Sequence, residues 1–532
     1  MEREFTRSTK ILVIGEIIAF ALSFGLGFFL IRFFSVEDYS LYNLVLVVPM
    51  ILLYIGDFGL FHGGLYYVAR LGKLNKKGEV RNVIKITLIA KFLLGIGFAI
   101  TIFFFAEEIS SSLFRIQSVI IVPLLQFASI LLITDNILEA VYSILIGSTE
   151  MKSFTIVNVL RYGAKCILTF LLILLGWNIF GVIIGTVIAT GIAGLLGFLY
   201  IKKKLLKHSG KKESIDWKCL PQLIKRGFSF SLVAIIHNVR YEVFILFLGI
   251  FGFISEVSYL RVGVIIITIF YVILRPVVLS LTPIFSKYSW KNPSEKKILN
   301  KVFRYSNKFC TLFISPIIIF CIVFASELIP SVFGESYLAG TQFISIFFVY
   351  FLPLTIGMIA LPSFFFSQGY SGLSFLIEFF PFSMSIILGV FLSPILGSLG
   401  FVIGISLGSF LGLIFGIFIT YWKFGKELFS KSWEWFLIVI IAGALCGLFF
   451  IGYSFFTQMI MLENIFIKLL ILGGMFVCFY ILFFIILIWV NLLRDDEMSY
   501  FTREFQNIPI INKVLQLIVT FGKKLRNRND TS

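Results

Sequence analysis

The chain has 532 residues, of which 59% are hydrophobic and 17% are aromatic, including 65 Phe. Only 14% of the residues are charged, whereas a soluble domain carries about 25%. This composition excludes a soluble multidomain enzyme, a disordered chain and a fibrous repeat. It indicates a polytopic α-helical membrane protein, in which lipid replaces water as the solvent for most side chains.

About 14 apolar runs predict transmembrane helices, because each is long enough to cross roughly 30 Å of hydrocarbon as an α-helix. We therefore expect an all-α integral membrane protein with about 14 transmembrane helices and no room for a large soluble domain. The runs lie at 11–34, 41–66, 83–105, 119–146, 154–175, 179–200, 228–251, 256–285, 303–328, 342–366, 373–392, 398–422, 433–456 and 465–493.

Charged residues between these runs predict how the chain crosses the membrane. The connections after helices 2, 6, 8 and 12 and both terminal segments are rich in Lys and Arg, whereas the odd-numbered connections carry mostly acidic residues. Because basic loops stay on the cytoplasmic side, we expect a multi-pass protein of the cell (inner or plasma) membrane with both termini cytoplasmic. The same loops account for the net charge of +17, so no nucleic-acid partner is expected.

The longest connection, after helix 6, suggests the domain organisation. The turn Asp38-Tyr39-Ser40 after helix 1 is similar to Glu256-Val257-Ser258 after helix 7, as expected for two pseudo-symmetric six-helix lobes. Within the connection, Ser214–Arg226 fits either an amphipathic helix on the inner leaflet or a solvated linker. The predicted parts are an N-terminal lobe at 1–200, a basic cytoplasmic linker at 201–227, a C-terminal lobe at 228–422, helices 13 and 14 at 423–493 and a cytoplasmic tail at 494–532.

Ionisable side chains inside the predicted spans are the first candidates for function, because each charge at mid-depth costs roughly 2.5–3.5 kcal/mol. Such cations must face a water-filled cavity, pair with acids or reach the interface. Arg261 lies near the outer end of helix 8, where we expect it to reach the interface. The other cations are Lys91, Arg161, Lys165, Arg240 and Arg275, and the acids are Glu16, Asp57, Asp135, Glu139, Glu242 and Glu378.

Arg161 and Lys165 are the strongest candidates for an anion site. They are four residues apart on one predicted helix and share a face, and like charges so placed repel each other. Their position therefore requires an anionic partner, which is either an acid on another helix or a ligand. For Asp57, Asp135 and Glu139, ion pairing inside the bundle is the favoured interpretation, and coupling to H⁺ or Na⁺ stays open.

No motif for a catalytic or metal centre accompanies these charges. The phosphate-binding pattern G-x-x-x-x-G-K-[ST] does not occur in the sequence, so ATP is not expected as the direct fuel. The three His are scattered, and no two of the six Cys have C-x-x-C spacing. We therefore expect no metal, cofactor or catalytic residue.

Several stretches in order along the chain resemble the polysaccharide-biosynthesis flippases, the Wzx-type branch of the multidrug/oligosaccharidyl-lipid/polysaccharide exporter superfamily. RFFSVEDYSLYNLV (Arg32–Val45) resembles that family's turn after helix 1, and DFGLFHGGLYYVAR (Asp57–Arg70) its exit from helix 2. The helix 8 stretch at Glu256–Ser286 is similar as well. So are IPSVFGESYLAG (Ile329–Gly340) after helix 9 and LLRDDEMSYFTREF (Leu492–Phe505) after helix 14.

The resemblance implies a V-shaped bundle of two six-helix lobes with two additional C-terminal helices. It also implies translocation of a polyprenyl-(pyro)phosphate-linked oligosaccharide from the cytoplasmic to the outer leaflet by alternating access, without catalysis and without a cofactor. Membrane lipids are expected partners, glycan assembly enzymes stay open as partners, and a monomer is expected. By position, the candidates for binding the headgroup are Arg161, Lys165, Arg240, Arg275 and Lys91. The candidates for ion coupling or structural pairing are Asp57, Asp135, Glu139, Glu16 and Glu242.

Two other functions are compatible with this composition. A multidrug exporter of the same superfamily usually has twelve helices and would be expected to have a net acidic cavity for organic cations, so the cationic cluster and helices 13 and 14 argue against it. A membrane-embedded glycosyltransferase or ligase usually places its acidic or basic residues on sizeable outer loops. Here every outer connection is short, and Glu37-Asp38 is the adjacent outer acidic pair early in the chain.

Overall fold

The computed structural model of the protein describes the chain at residues 2–114, 120–206, 215–459 and 464–493. Within these ranges, the side chains of residues 2–10, 229–230, 270–280 and 282–283 are not described. The described residues form helices joined by short connections, and no β-strand occurs among them. The tail predicted at 494–532 and the side chain of Arg275 therefore lie outside the described part.

The chain divides into two compact units, Met1–Ile265 and Ile266–Ser532. The division falls inside one long helix, and the lobe boundaries inferred from the sequence stay a prediction. The helices of the first unit are α1 (Glu2–Phe33), α2 (Val36–Ile55), α3 (Leu60–Lys73), α4 (Lys77–Phe104), α5 (Ala106–Glu108), α6 (Ile121–Gly147), α7 (Met151–Leu174), α8 (Asn178–Ile201), α9 (Leu220–Ile250) and the first part of α10 (Ile254–Lys287). Those of the second unit are the rest of α10, α11 (Pro293–Val323), α12 (Ala325–Phe333), α13 (Thr341–Val349), α14 (Leu361–Ser367), α15 (Ser371–Phe424), α16 (Trp433–Met459) and α17 (Ile465–Trp489).

Twelve helical segments in the described part of the chain are long and apolar enough to cross a membrane. One of them, α15, has 54 residues and is interrupted at Gly397, whose φ of 63° and ψ of −145° leave the helical region. Its two arms correspond to the separate spans predicted at 373–392 and 398–422. Together with α10, these segments confirm the predicted all-α membrane protein of about 14 helices.

Close backbone contact holds the two arms of α15 together. A Cβ atom at Gly404 would lie 2.3 Å from the backbone nitrogen of Gly389, and one at Gly408 would lie 2.2 Å from that of Ser385. The Ser385 hydroxyl donates a hydrogen bond to the Ile405 carbonyl across the same contact, at 2.9 Å. Small residues at such positions allow membrane helices to pack by van der Waals contact where no hydrophobic effect is available.

The second predicted span, 41–66, is broken between α2 and α3. Phe58 (φ 48°) and Gly59 (φ 83°) adopt left-handed backbone conformations there. The Asp57 carboxylate accepts hydrogen bonds from the Phe61 backbone N–H at 3.1 and 3.3 Å and so satisfies a donor at the start of α3. The break lies inside a continuous apolar run, and the hydropathy of a run does not show where the backbone leaves the helical conformation.

The predicted span 342–366 is also interrupted. A π-helical turn at Leu354–Met358 separates α13 from α14, and Gly357 within it has a φ of 114°. Backbone groups freed in this way must be satisfied inside the protein at membrane depth. The Thr311 hydroxyl of α11 meets part of that need by donating to the Thr355 carbonyl at 2.5 Å.

The end of the basic connection after helix 6 differs from both structures considered for it. A single 3₁₀ turn at Trp217–Cys219 leads directly into α9. Leu223 is 1% exposed and packs among apolar side chains of α3, α4 and α6. A Cβ atom at Gly63 would lie 2.3 Å from the Leu223 carbonyl oxygen. Residues 215–226 therefore pack within the first unit, and a position at the inner leaflet stays a prediction.

Candidate functional site

A buried lysine joins three elements of the first unit. The side chain of Lys91 on α4 has no exposed surface, and its ammonium lies 2.5 Å from Asp57 Oδ1 and 2.5 Å from Glu139 Oε2 of α6. One ammonium faces two carboxylates, so the cluster is net acidic when all three groups are ionised. Because Lys91 is enclosed by these partners, it can reach an anionic ligand only if the cluster opens.

Arg161 and Lys165 of α7 form a second cluster, next to the first along α6. Arg161 Nη2 donates to Asp135 Oδ1 at 2.6 Å, and the side chain of Arg161 is 24% exposed whereas that of Asp135 is 4% exposed. Lys165 makes no ion pair within 4.0 Å with any residue in the described part of the chain. Two cations therefore share a single carboxylate, and one positive charge is left in excess at a partly exposed position.

Tyrosines from three helices act electrostatically on the Arg161 guanidinium. Tyr54 of α2, Tyr142 of α6 and Tyr162 of α7 all lie within electrostatic range of it, and the guanidinium carbon is 5.6 Å from the centre of the Tyr162 ring. Among the described residues, the hydroxyls of Tyr54 and Tyr162 find no hydrogen-bond partner. Both side chains are only partly exposed, so these hydroxyls are available beside Arg161.

A short row of hydrogen bonds extends from the same place. The Tyr142 hydroxyl donates to Asn158 Oδ1 at 3.0 Å, and Asn158 Nδ2 donates to Glu16 Oε1 of α1 at 3.4 Å. Asn158 is buried and Glu16 is partly exposed. The row connects α1, α6 and α7.

The remaining basic candidates lie elsewhere. Arg261 forms an ion pair, since its Nη2 donates to Glu242 Oε2 at 2.7 Å and its side chain is 18% exposed, and its place at the interface stays a prediction. Arg240 on the same helix as Glu242 is buried. The side chain of Arg275 lies outside the described residues.

Tyr54 is under the electrostatic influence of charged groups from both clusters. Its hydroxyl is within electrostatic range of the carboxylates of Glu139, Glu242 and Asp135 as well as of Arg161. No group of three or more His, Cys, Asp or Glu side chains that could hold a metal occurs among the residues described.

Sequence reasoning did not find the tyrosines or Asn158. A signal was present for two of them, because Asn158, Arg161, Tyr162 and Lys165 follow the i, i+3, i+4, i+7 spacing of one helix face. That polar stripe is unusual in an apolar span. No sequence signal identifies Tyr54, because it approaches Arg161 only through the packing of α2.

In the second unit, charged side chains form ion pairs between helices. Lys308 of α11 contacts Glu434 of α16 at 2.7 Å, and the two side chains are 2% and 3% exposed. Lys468 of α17 contacts Glu327 of α12 at 2.7 Å, and the Tyr453 hydroxyl of α16 donates to the same carboxylate at 3.3 Å. These contacts attach helices α16 and α17 to the rest of the unit.

A family model described as "Polysaccharide biosynthesis protein" matches residues 29–341, which is more than half of the chain. The match includes every residue of the two charge clusters described above, whereas Glu16 precedes it. A search of curated protein sequences finds no match to this chain.

Solved structures with a similar fold are membrane transporters. The lipid II flippase MurJ in an inward closed conformation aligns with a TM-score of 0.67 and 16% identity over 91% of this chain and 99% of its own. An inward-facing multidrug resistance MATE transporter of the MOP superfamily aligns with a TM-score of 0.64 and 17% identity over 77% and 95%. A MOP superfamily transporter from Pyrococcus furiosus, described as having a binding pocket of reverse polarity, gives 0.55 and 17% over 79% and 96%. At these identities the likeness establishes a common fold.

Proposed function

The chain belongs to the polysaccharide biosynthesis protein family, and from that premise we propose that it is a flippase for a lipid-linked oligosaccharide. It moves a polyprenyl-(pyro)phosphate-linked oligosaccharide from the cytoplasmic to the outer leaflet of the cell membrane by alternating access. The transported lipid then serves cell-surface polysaccharide or glycan assembly. No bond is made or broken in this process, so the protein is a transporter and not an enzyme.

The observation that carries this proposal is the excess of positive charge at Arg161 and Lys165. Asp135 compensates one cation, and no described residue compensates the other. An unmatched charge inside a membrane protein is costly unless water or a ligand receives it. A phosphate or pyrophosphate headgroup supplies the missing negative charge.

The two cations suit phosphate in complementary ways. Arg161 carries five N–H donors in a planar fork, of which Asp135 occupies only part, and the remainder can bind phosphate oxygens in a bidentate manner. Lys165 adds a mobile point charge one helical turn away. These charge-assisted contacts replace the hydration that the phosphates lose when they enter the membrane.

The energy for outward movement does not need to come from ATP. We propose cytoplasmic termini, and an inside-negative potential then favours the outward movement of an anion by roughly 2.3 kcal/mol per charge per 100 mV. The net acidic cluster of Lys91, Asp57 and Glu139 is our candidate for coupling to H⁺ or Na⁺, because it lies at the break between α2 and α3. The protein is proposed to work as a monomer among membrane lipids.

A multidrug exporter is the second candidate, and the fold shared with MATE transporters favours it. Such a protein requires a net acidic site for organic cations. Among the described residues, the Lys91 cluster has that polarity, but its lysine is fully buried between its partners. The partly exposed cluster at Arg161 has the opposite polarity, which favours an anionic substrate.

A reconstituted transport assay tests the proposal. The purified protein is placed in liposomes with a fluorescent polyprenyl-diphosphate oligosaccharide, and the appearance of the label in the opposite leaflet is followed. Because each lost charge-assisted hydrogen bond is worth about 1.5–3 kcal/mol, Arg161→Ala/Lys165→Ala, which removes at least two, should lower the rate by at least about a hundredfold. Lys152→Ala, an exposed lysine on the same helix, is the matched control and should leave the rate within about twofold.

Each alternative gives a different result in this assay. Undiminished flipping by the double variant would remove Arg161 and Lys165 from the site. Transport of an organic cation without movement of the lipid would identify a multidrug exporter. Sugar transfer or hydrolysis without reorientation of the lipid would identify a glycosyltransferase or ligase.

A further inference from the structure

We propose that a cavity between α3, α4 and the segment 216–223 binds a phospholipid headgroup in which a primary ammonium group accompanies the phosphate. The cavity has a volume of about 340 Å³, within the range of roughly 300–1,000 Å³ that is usual for small-molecule sites. No residue of the Lys91 cluster or the Arg161 cluster lines it. Binding of this lipid is therefore independent of the flippase function.

The cavity lies where polar connections meet apolar helices. Leu71 of α3, Val83 of α4 and Leu223 of α9 line its apolar side and are buried. The connections after helices 2 and 6 contribute its polar side, and we expect both of them on the cytoplasmic side of the membrane. Trp217, between two lining residues in the chain, is exposed, as is common for tryptophan at the membrane–water interface. We therefore expect the cavity at the headgroup level of the cytoplasmic leaflet.

Charges of both signs are present at the polar side of the cavity. Asp216 and Lys218 both line it, and both residues are exposed. Asp216 Oδ1 accepts a hydrogen bond from the Lys218 backbone N–H at 3.0 Å, which leaves acceptor positions on the second carboxylate oxygen. The Lys218 ammonium makes no ion pair within 4.0 Å with any residue in the described part of the chain. A zwitterion can therefore direct its anion to Lys218 and its cation to Asp216.

Asn82 of α4 fixes the backbone that carries the Asp216 carboxylate. Its Nδ2 donates to the Asp216 carbonyl at 3.0 Å, and its Oδ1 accepts from the Asp216 backbone N–H at 2.9 Å. These two hydrogen bonds hold Asp216 in an extended conformation, with a φ of −90° and a ψ of 96°. Because this backbone is ordered before a ligand binds, the entropy cost of binding is reduced.

The hydrogen-bond acceptors around the cavity favour a primary ammonium group over a quaternary one. Glu79 adds a second carboxylate, whose Oε1 contacts the Lys76 ammonium at 2.7 Å. Tyr67 lines the cavity as well, and its hydroxyl bonds to none of the described residues. Carboxylate and phenol oxygens accept the N–H bonds that a primary ammonium donates. A quaternary ammonium instead requires a cage of aromatic rings, whereas Tyr67 is the one aromatic residue among the described residues of the lining.

The phosphate and the first carbon atoms of the lipid also find matching groups. Gln222 of α9 lines the cavity, and its side-chain amide bonds to none of the described residues. Together with the Lys218 ammonium, this amide supplies N–H donors for phosphate oxygens. The apolar side at Leu71, Val83 and Leu223 suits the glycerol and acyl carbons, which a soluble zwitterion lacks. A lipid is therefore favoured over free phosphoethanolamine.

Lipid binding to the full-length protein in detergent tests this site. The probes are dioleoyl phosphatidylethanolamine, dioleoyl phosphatidylcholine, dioleoyl phosphatidylglycerol and soluble phosphoethanolamine. Phosphatidylcholine keeps both charges but has no N–H donors, and phosphatidylglycerol has no ammonium group. Native mass spectrometry should show phosphatidylethanolamine binding at least about tenfold more tightly than the other two lipids. Because the ligand binds the folded protein, phosphatidylethanolamine should also raise the unfolding temperature most.

Two variants separate the two ends of the headgroup. Asp216→Asn keeps an acceptor for the Lys218 backbone N–H but removes the charge, so the affinity for phosphatidylethanolamine should fall about tenfold. Lys218→Gln should weaken phosphatidylethanolamine and phosphatidylglycerol alike. Glu107→Gln and Lys203→Gln, at exposed residues of the first unit outside the cavity, are the controls and should stay within about twofold of wild type. If Asp216→Asn does not yield folded protein, Glu79→Gln takes its place.

The Cys219 thiol reports whether the cavity is occupied. Cys219 lines the cavity and is partly exposed, whereas Cys478 in the second unit is exposed elsewhere. At a phosphatidylethanolamine concentration of about twice the Kd, the reaction of Cys219 with N-ethylmaleimide should slow about threefold, because only unbound protein reacts. The Cys478 reaction should keep its rate. Mass spectrometry of the labelled peptides measures both.

Each contrary result has a definite meaning. Equal affinity for the three phospholipids, or an unchanged affinity for phosphatidylethanolamine in Asp216→Asn, would overturn the site. Lipid binding without protection of Cys219 would place the lipid elsewhere and would also overturn it. Soluble phosphoethanolamine that binds as tightly as the lipid would overturn the assignment to a phospholipid. None of these results alters the outcome of the flippase assay.

Discussion

The two units of the chain treat buried charge differently. In the second unit, Lys308 and Glu434 form a pair with one cation, one anion and almost no exposure. In the first unit, Arg161 and Lys165 share the single carboxylate of Asp135 and stay partly exposed. A matched pair is satisfied by the protein alone, whereas an unmatched one needs a partner from outside. In this molecule, we therefore distinguish a binding site from a structural contact by whether its cations outnumber its carboxylates.

The largest effect on stability is expected from Lys91→Met. Removing one partner of a buried ion pair costs about 3–5 kcal/mol, and this change leaves two carboxylates, Asp57 and Glu139, close together. We expect a loss of folding free energy at the upper end of that range, measured by unfolding in detergent. Lys73→Met, at an exposed lysine of α3, should cost less than about 0.5 kcal/mol. A loss below about 1 kcal/mol for Lys91→Met would contradict a structural role for the cluster.

Most of the fold could be predicted from the sequence, because hydropathy and charge report directly on membrane crossing. The all-helical class, the approximate number of helices and the separate spans at 373–392 and 398–422 follow from apolar runs and their interruptions. The breaks near Asp57 and Gly357 could not be predicted, because they depend on local backbone conformations inside continuous apolar runs.

The candidate site could be predicted only in part. The i, i+4 spacing of Arg161 and Lys165 is a local property of one helix, so the sequence contains it. The pairing of Lys91 with Asp57 and Glu139 depends on how α4, α6 and the start of α3 pack, which no local pattern encodes. For the same reason, the sequence favours ion pairing for Asp57, Asp135 and Glu139 but does not identify their partners.

The matched pair of the second unit provides the next prediction. Glu434→Gln removes the carboxylate that the buried Lys308 ammonium contacts, and we expect a loss of about 3 kcal/mol of folding free energy in detergent unfolding. The loss should be smaller than for Lys91→Met because glutamine still accepts a hydrogen bond. Replacing both partners by Lys308→Met/Glu434→Leu should recover most of the stability.

An exposed pair in the same unit serves as the control. Lys296 contacts Glu427 at 2.7 Å, but the Glu427 side chain is 56% exposed. Glu427→Gln should therefore cost less than about 1 kcal/mol. Equal losses for Glu434→Gln and Glu427→Gln would show that burial does not govern the strength of these pairs.

Backbone packing in the two units offers a smaller effect. A Cβ atom at Gly404 in the second unit, or at Gly63 in the first, would lie 2.3 Å from a backbone atom of a neighbouring segment. Gly404→Ala and Gly63→Ala should therefore each lower the free energy of unfolding by about 1–3 kcal/mol through overpacking. A Cβ atom added at Gly443 or Gly72 would have no neighbour within 4 Å. Gly443→Ala and Gly72→Ala should therefore stabilise the protein, by less than about 1 kcal/mol. Thermal unfolding in detergent measures all four changes. Tolerance of alanine at Gly63 alone would indicate that α3 and α9 can separate more easily than the arms of α15.

The last prediction compares the same substitution, lysine to methionine, at Lys308 in the second unit and at Lys165 in the first. The smallest effect on stability is expected at Lys165. Lys308→Met removes the ammonium that contacts the buried Glu434 carboxylate and should cost about 3–5 kcal/mol. Lys165→Met removes a cation that no described residue pairs with, so it should cost less than about 0.5 kcal/mol and can raise the unfolding temperature by removing a charge from the membrane. Flipping of the lipid-linked oligosaccharide should nevertheless fall about tenfold in Lys165→Met. A protein that is as stable as wild type and yet inactive places Lys165 in the ligand site, whereas parallel losses of stability and transport would make it a structural residue like Lys308.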